Sequence, residues 1–350
     1  MSLQRLDAAQ ALQAIDLFDA VIDARSESEF ALDHLPAALN WPTLNDAQRQ
    51  EIGTQYKQIS AFEARKRGAA MAARNIAAHL DREGPALPRG WRPLLYCWRG
   101  GQRSGALALV LSQIGFEVSV LDGGYRAFRK QVVDALEQLP PSLNFTVICG
   151  RTGSGKSRLL DALQQAGAQV LDLEALAGHR GSVLGALPAA QPSQKRFETL
   201  LWDQLRRLDP GRTVFVESES RTIGQRRVPE SLLSRMRASP CVHLGLPLDA
   251  RVELLLADYA HHVQDAEGLC ERLQALRELR GATVIERWQS LARGGQWRSL
   301  VSELLADHYD PSYERSMARN FTQFAQARVL HLPDAQSVTL AQAAQALASA

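Results

Sequence analysis

Phe145-Thr146-Val147-Ile148-Cys149 runs without a break into Gly150-Arg151-Thr152-Gly153-Ser154-Gly155-Lys156-Ser157, and this junction decides the fold. The first five residues have the pattern of a buried strand, and the next eight fit G-x-x-x-x-G-K-[ST] with a helix opening at Ser157. Glycines there let backbone N–H groups turn toward a phosphate, and the helix N-terminus adds positive potential. Lys156 is placed to reach the outer phosphate, and Ser157 can hold magnesium. Gly150, Thr152, Gly153, Ser154, Gly155, Lys156 and Ser157 are thus the expected phosphate-binding residues. A plain strand-to-helix turn is the bland alternative.

Downstream, the spacing predicts strands over 213–216 and 240–246, an almost wholly helical region from about 249 to 325, and a last strand over 327–332. Strand 213–216 leads into Glu217-Ser218-Glu219-Ser220-Arg221, placing carboxylates near the edge of the sheet where ligands bind. Glu217 can orient a metal-bound water or serve as a hydrogen-bonded strand end. With Glu219 beside it, Arg221, Arg226 and Arg227 suit a second phosphate or an RNA backbone, or else form a solvated loop.

Upstream, Leu139-Pro140-Pro141-Ser142 punctuates the chain, giving an expected division into domains 1–138 and 139–350. Strands are predicted over 21–24, 93–96 and 117–121, with a helix over 105–114. Segment 44–88, rich in alanine and arginine, reads as a helical insertion against the first sheet. Strands alternating with helices imply parallel sheets, so both domains are expected to be α/β. No internal repeat or low-complexity segment interrupts them.

The second strand ends at Cys97-Trp98-Arg99-Gly100-Gly101-Gln102-Arg103-Ser104. A thiol that begins such a loop faces backbone N–H groups and a positive helix end, which favours the thiolate. The same donors would stabilise a persulfide, a selenopersulfide or an oxyanion. Cys149, Cys241 and Cys270 lie in apolar patterns and read as buried; the four cysteines contain no C-x-x-C pair, so no metal site is expected.

Composition narrows less. The 350 residues are 45% hydrophobic and 22% charged, enough for two ordinary cores, and the net charge of +2 does not mark a nucleic-acid binder. The excess of arginine over lysine fits phosphate recognition or coding bias. No run approaches the roughly 20 apolar residues of a membrane span, and no signal peptide opens the chain, so a cytoplasmic protein without membrane attachment is expected. Trp288, Trp297, Tyr309 and Tyr313 alternate with arginines in the helical region, either to stack bases or to fill a core.

Asp23-Ala24-Arg25-Ser26-Glu27-Ser28-Glu29-Phe30 and His34-Leu35-Pro36-Ala37-Ala38 resemble the rhodanese signatures D-x-R-x-x-x-E-F and H-I-P-G-A, with Ala37 where that family usually has glycine. The loop 97–103 is one residue longer than the usual sulfurtransferase loop, as in rhodanese-fold phosphatases. Taken with Y-C-W-R-G-G-x-R-S, the phosphate loop and E-S-E-S-R-x-I-G (217–224), nearly the whole chain resembles the bacterial tRNA 2-selenouridine synthases. The resemblance implies a rhodanese-like domain followed by a P-loop NTPase-like domain. It also implies an enzyme that converts wobble 2-thiouridine of tRNA to 2-selenouridine with selenophosphate, through an S-geranyl intermediate made from geranyl diphosphate.

Selenophosphate, with its synthase as the expected source, geranyl diphosphate and tRNA are then the partners, and no tightly bound cofactor is needed. Cys97 would carry selenium as a selenopersulfide, and Trp98, Arg99, Gly100, Gly101, Gln102 and Arg103 would shape its anion pocket. The competing reading is a rhodanese-type sulfurtransferase or phosphatase with a regulatory nucleotide-binding domain.

Overall fold

The computed structural model describes residues 3–182, 184–185 and 187–349, the side chains of 261 and 262 excepted. The chain divides into two compact units, 1–136 with 192–203 and 137–191 with 204–350. Where the sequence reading draws one boundary, the chain crosses between units three times.

The first unit holds a parallel sheet of β1 (Leu3–Leu6), β2 (Ala20–Asp23), β3 (Ala38–Asn40), β4 (Pro93–Tyr96) and β5 (Val118–Leu121), in the order β1-β5-β4-β2-β3. The central strands β4 and β5 are buried at every position, which explains their unbroken apolar runs. The insertion is a helical pair, Asp46–Gln58 and Ala61–Glu83, opened by an Asn45–Gln48 capping box and a Ser60 cap. Ile76 of the longer helix joins Trp41, Trp91, Leu95 and Leu107 in the core of this sheet, as expected.

The signature pair Asp23 and Arg25 is a structural device. Arg25, 1% exposed, clamps the Asp23 carboxylate with Nε at 3.0 Å and Nη2 at 2.6 Å. Its Nη2 also donates to the Asp33 carbonyl at 2.6 Å, and the Tyr96 hydroxyl donates to Asp23 at 2.7 Å. A buried charge pair costs little only when its lone pairs are satisfied in this way. Ala37, at the position where glycine is usual, has φ 54° and is the one non-glycine residue with positive φ among those described.

The second unit has the parallel order β12-β11-β6-β8-β7, from β6 (Asn144–Cys149), β7 (Gln169–Leu171), β8 (Thr213–Glu217), β11 (Cys241–Gly245) and β12 (Arg328–His331). A two-stranded ribbon, β9 (Thr222–Ile223) and β10 (Arg226–Arg227), lies outside it, so the basic run turns back on itself as a hairpin. Helices Lys156–Gln165 and Ser337–Ala348 cover the sheet with Leu159, Leu160, Leu163, Leu340, Ala344 and Leu347. The helical region forms its own core around Trp288, Leu273, Ile285 and Leu300, with Trp297 and Tyr309 packed against it. These aromatics therefore fill a core. Their arginine neighbours Arg287 and Arg293 are paired with Glu303 and Glu267.

Candidate functional site

Cys97 follows β4, and its thiol is 3% exposed among the core side chains of the first sheet. Burial alone pushes a thiol pKa up. Here the Ser104 hydroxyl, 3.2 Å from the sulfur, outweighs it together with the N–H groups of Ser104 and Arg99 and the charge of Arg103, so the Cys97 thiol falls below the ordinary value. Helix Gln102–Ile114 opens over the sulfur with Gly101 as its N-cap, and its C-cap Gly115 is left-handed.

The shape of this cradle is fixed by close backbone approach. The Tyr125 N–H donates to the Cys97 carbonyl at 2.8 Å, and the Arg126 N–H to the Trp98 carbonyl at 3.2 Å. A Cβ on Gly124, φ 58°, would stand 2.3 Å from the Cys97 carbonyl oxygen and 2.5 Å from the Gly100 nitrogen. Only glycine fits there. Trp98 stacks on Tyr125 with ring centroids 5.4 Å apart, whereas Arg99, Gly101 and Gln102 are exposed and Gly100 is buried. Arg103 is bound to Glu29 at 2.7 Å, so it acts on the sulfur by its field and not by contact. Glu29 in turn caps its helix with Ser26, which ties the signature E-F to the cysteine loop. Ser104, the serine that closes Y-C-W-R-G-G-x-R-S, donates its hydroxyl to the thiol, a role that the motif itself does not state.

The phosphate loop follows β6 at the switch point where β11 lies on one side and β8 on the other. Its residues 152–157 line an open cleft together with Glu174, Glu219, His179 and Arg180. Lys156 Nζ lies 2.9 Å from the Gly150 carbonyl, and the Gly150 N–H donates to the Tyr313 hydroxyl at 2.6 Å. Gly153, φ 76°, packs so close to Leu255 that a Cβ would stand 2.8 Å from its side chain. Arg251, 3% exposed, holds the Thr152 carbonyl through Nε and Nη2 at 2.9 and 2.8 Å and grips Asp310 with Nη1 and Nη2. The loop is thus braced from two helices that the motif does not include.

Beside the loop gathers a set of carboxyls. Ser157 Oγ donates to Glu174 Oε2 at 3.1 Å, and the Glu174 N–H donates to Glu217 Oε1 at 2.8 Å. Glu217 is therefore the hydrogen-bonded strand end, 1% exposed, with Oε2 lacking a partner among the described residues. Burial pushes Asp172, Glu174, Glu217 and Glu219 all upward, and Glu219 reaches about 8. Mutual repulsion adds to this at Glu217 and Glu219, while Lys156 pulls Glu219 and Glu174 the other way. Glu174 escaped the sequence reading because it lies in the first turn of a five-residue helix, Leu173–Ala177, that follows a strand, β7, of only three residues.

Arg221 is exposed and paired with Glu230 at 3.0 Å, and Arg226 and Arg227 belong to the hairpin. Among the described residues no cluster of three or more histidine, cysteine or acidic side chains is disposed to enclose a metal ion. No described helix is long and apolar enough to cross a membrane. Cys149, Cys241 and Cys270 are buried.

Comparison with known proteins agrees with both halves of this description. The family model for a rhodanese-like domain matches residues 4–131, and that for the tRNA 2-selenouridine synthase AAA domain matches residues 143–278. The chain is 33% identical to a tRNA 2-selenouridine synthase of Cupriavidus necator, over 91% of this chain and 93% of that one. It is 32% identical to one of Marinobacter nauticus, over 85% and 88%, and 31% identical to one of Sulfurovum, over 91% and 93%.

Proposed function

This chain belongs to the tRNA 2-selenouridine synthase family, and on that premise we propose that it replaces the sulfur of wobble 2-thiouridine in tRNA by selenium in two steps, one at each loop. The observation that supports the reading is the presence, in one chain, of two separate loops suited to anions, each at the carboxyl end of the central strand of a parallel sheet.

In the first step the phosphate loop holds the diphosphate of geranyl diphosphate. The thiocarbonyl sulfur attacks the allylic carbon; a C–S bond forms, the C–O bond breaks, the base loses its N3 proton and diphosphate departs. Backbone N–H groups of 150–157 and Lys156 stabilise the departing charge, which is the charge that grows in the transition state. The donor set beside the loop fits a hard cation, since Ser157 Oγ and Glu174 offer oxygen and a Mg2+ ion completes its shell with phosphate and water. Ser157 and Glu174 would hold such an ion, which would neutralise phosphate charge.

In the second step the Cys97 thiolate attacks the phosphorus of selenophosphate; an S–P bond forms, the P–Se bond breaks and selenium is released as selenide without change of oxidation level, and water later hydrolyses the S–P bond to phosphate. The Ser104 hydroxyl and the Arg99 and Ser104 N–H groups stabilise an anionic chalcogen there as they do the thiolate. Alkylation has made the sulfur a leaving group, so a selenium nucleophile at C2 expels geranyl thiol and the base regains its proton. Mass spectrometry of tRNA nucleosides separates the steps. Cys97→Ala is expected to accumulate S-geranyl-2-thiouridine without 2-selenouridine, and Lys156→Ala to leave 2-thiouridine unaltered. Geranylation at the normal rate by Lys156→Ala would remove the phosphate loop from the reaction.

A further inference from the structure

The helical pair Asp46–Gln58 and Ala61–Glu83 covers the first sheet with only part of its length. Asn75 Nδ2 donates to the Thr43 carbonyl at 3.0 Å, and the Thr43 hydroxyl donates to the Ala24 carbonyl, just past the end of β2, at 3.2 Å. Residue 75 is thereby fixed at the carboxyl edge of the sheet, the edge from which the Cys97 loop also rises. From there the longer helix descends past Ile76 and Leu80, which pack in the core, toward the start of β4 at Pro93. Its other end, residues 61–74, therefore stands beyond that edge beside helix Asp46–Gln58. At about 1.5 Å per residue, Phe62 lies about 21 Å along the helix from Ile76. At the foot of this arm Arg49 lies 3.2 Å from Glu29, the carboxylate that holds Arg103 of the cysteine loop at 2.7 Å.

The tip of the arm exposes a cluster of apolar side chains. Tyr56, Ile59 and Phe62 are 56%, 76% and 63% exposed, and although a single exposed apolar residue needs no explanation, three so close together do. Lys57, Arg65, Lys66 and Arg67 are exposed among them, and the Lys66 ammonium stands 5.1 Å from the Phe62 ring centroid. With Arg74 these give residues 52–74 five basic side chains against one acidic, Glu63, a net charge of +4 in a chain whose total is +2. The remainder of the chain is thus net acidic, and charge gathered on one element, not the total, marks contact with a polyanion. Glu63 pairs with Lys66 and Glu51 with Arg67, but these pairs are exposed, contribute little and yield to phosphate. A second copy of the chain would set one +4 tip against another, and an apolar partner would leave the cations unmatched. Unpaired bases strung on phosphates suit both kinds of side chain, because bases stack on aromatic faces while cations meet the backbone.

We propose that this tip docks the anticodon loop of the tRNA whose wobble base is offered to Cys97, with Tyr56 and Phe62 stacking on bases and Lys57, Arg65, Lys66 and Arg67 meeting phosphates. This rests on the reading of the chain as a tRNA-modifying enzyme, and the experiment separates the failure of one from the failure of the other.

Equilibrium binding of the full chain to tRNA bearing wobble 2-thiouridine, and to its isolated anticodon stem-loop, is followed over a range of salt, beside binding to phosphatidylserine vesicles. Tyr56→Ala and Phe62→Ala are each expected to weaken both RNAs about tenfold while leaving the slope of log Kd against log salt unchanged. Lys57→Ala combined with Lys66→Ala is expected to lower that slope by about one to two. All four side chains are exposed, so unfolding midpoints and the rate of Cys97 alkylation are expected to match the wild type. The assignment is overturned if the variants bind RNA as the wild type does, if the loss appears with whole tRNA but not with the stem-loop, or if they lose vesicle binding and keep RNA binding, which would make the tip a membrane contact. Failure of the wild-type chain to bind tRNA would remove the tRNA-modifying reading together with the arm, whereas wild-type binding left undiminished in every tip variant removes the arm alone.

Discussion

Ser104 helps hold the buried Cys97 thiol below its ordinary pKa, because its hydroxyl and N–H, with the Arg99 N–H and the charge of Arg103, outweigh the cost of burial. A hydrogen bond to an ionised group contributes about 1.5–3 kcal/mol, so Ser104→Ala should raise the Cys97 pKa by about one unit or more. Iodoacetamide alkylation followed against pH reads this directly, and an unchanged inflection would leave the thiolate to other donors. Glu219 titrates in the opposite sense. Its folded pKa of about 8 lies above the ordinary 4.5, so the folded chain keeps a proton that the unfolded chain has lost. Its contribution is full below about 4.5 and is lost as pH rises toward 8. Thermal unfolding of the ligand-free protein should therefore fall between pH 6 and 8, and Glu219→Gln should flatten that slope. Ala37 sits in the left-handed region at φ 54°, which costs a residue with a Cβ about 1 kcal/mol or more. Ala37→Gly removes that strain and returns part of it as unfolded-state entropy, so a net gain of about 0.5 kcal/mol in urea unfolding is expected. Both loops were legible in the sequence, since glycine spacing beside a nucleophile or a lysine is a local pattern. The roles of Ser104, Glu174 and Arg251 were not, because they come from neighbours that only the fold brings close.

At the scale of elements, legibility follows burial. Strands β4, β5, β6 and β8 are buried almost throughout and stand out as apolar runs within a residue of their observed limits. By contrast β1, β3 and β7 are three or four residues long and partly polar, so no periodicity announces them. Basic residues 221–227 read as a patch, and a hairpin of two-residue strands that buries Ile223 alone is too short to show a periodicity. The brace between helix Leu248–Asp258, the phosphate loop and helix Asp310–Asn320 is an element-level contact that hangs on Arg251. Arg251→Met would leave Asp310 with only the half-exposed Arg151, 3.6 Å away, and free the Thr152 carbonyl, and since breaking a fully buried pair from one side costs about 3–5 kcal/mol a loss of about 2 kcal/mol is expected. Lower thermal stability and weaker pyrophosphate binding should appear together, with geranyl and pyrophosphate affinities reduced by the same factor. Loss of stability with phosphate affinity intact would show that the loop keeps its shape unaided.

Across the whole molecule the chain does not read as two consecutive domains, because helix Gln194–Leu205 is encoded within the second domain's sequence while residues 192–203 group with the first unit. Its Thr199 hydroxyl donates to Asp33 at 2.9 Å, where the Tyr125 hydroxyl also donates at 2.8 Å. Burial holds the Asp33 carboxyl above its ordinary pKa, and its Oδ1 has no partner among the described residues, so each remaining bond matters. Trp202 packs edge-on against the fully buried Phe128, with ring centroids 5.6 Å apart. Cutting the chain after residue 138 removes both contacts at once and exposes Phe128 and Asp33. Loss of one large aromatic contact and one hydrogen bond to a buried carboxyl comes to about 3 kcal/mol or more, a large part of the stability of a domain this size. The fragment 1–138 should therefore unfold at markedly lower urea than the corresponding unit of the intact chain, and appending 190–206 through a flexible linker should recover most of the difference. This decides how a free-standing sulfurtransferase or phosphatase can be tested. Inactivity of the short fragment toward thiosulfate or a phosphate ester would reflect a loosened core around Tyr125, whose N–H holds the Cys97 carbonyl, as readily as an absent activity. Only the fragment carrying its helix poses the chemical question, and a short fragment as stable as the helix-bearing one would show that 192–203 lends the first unit nothing.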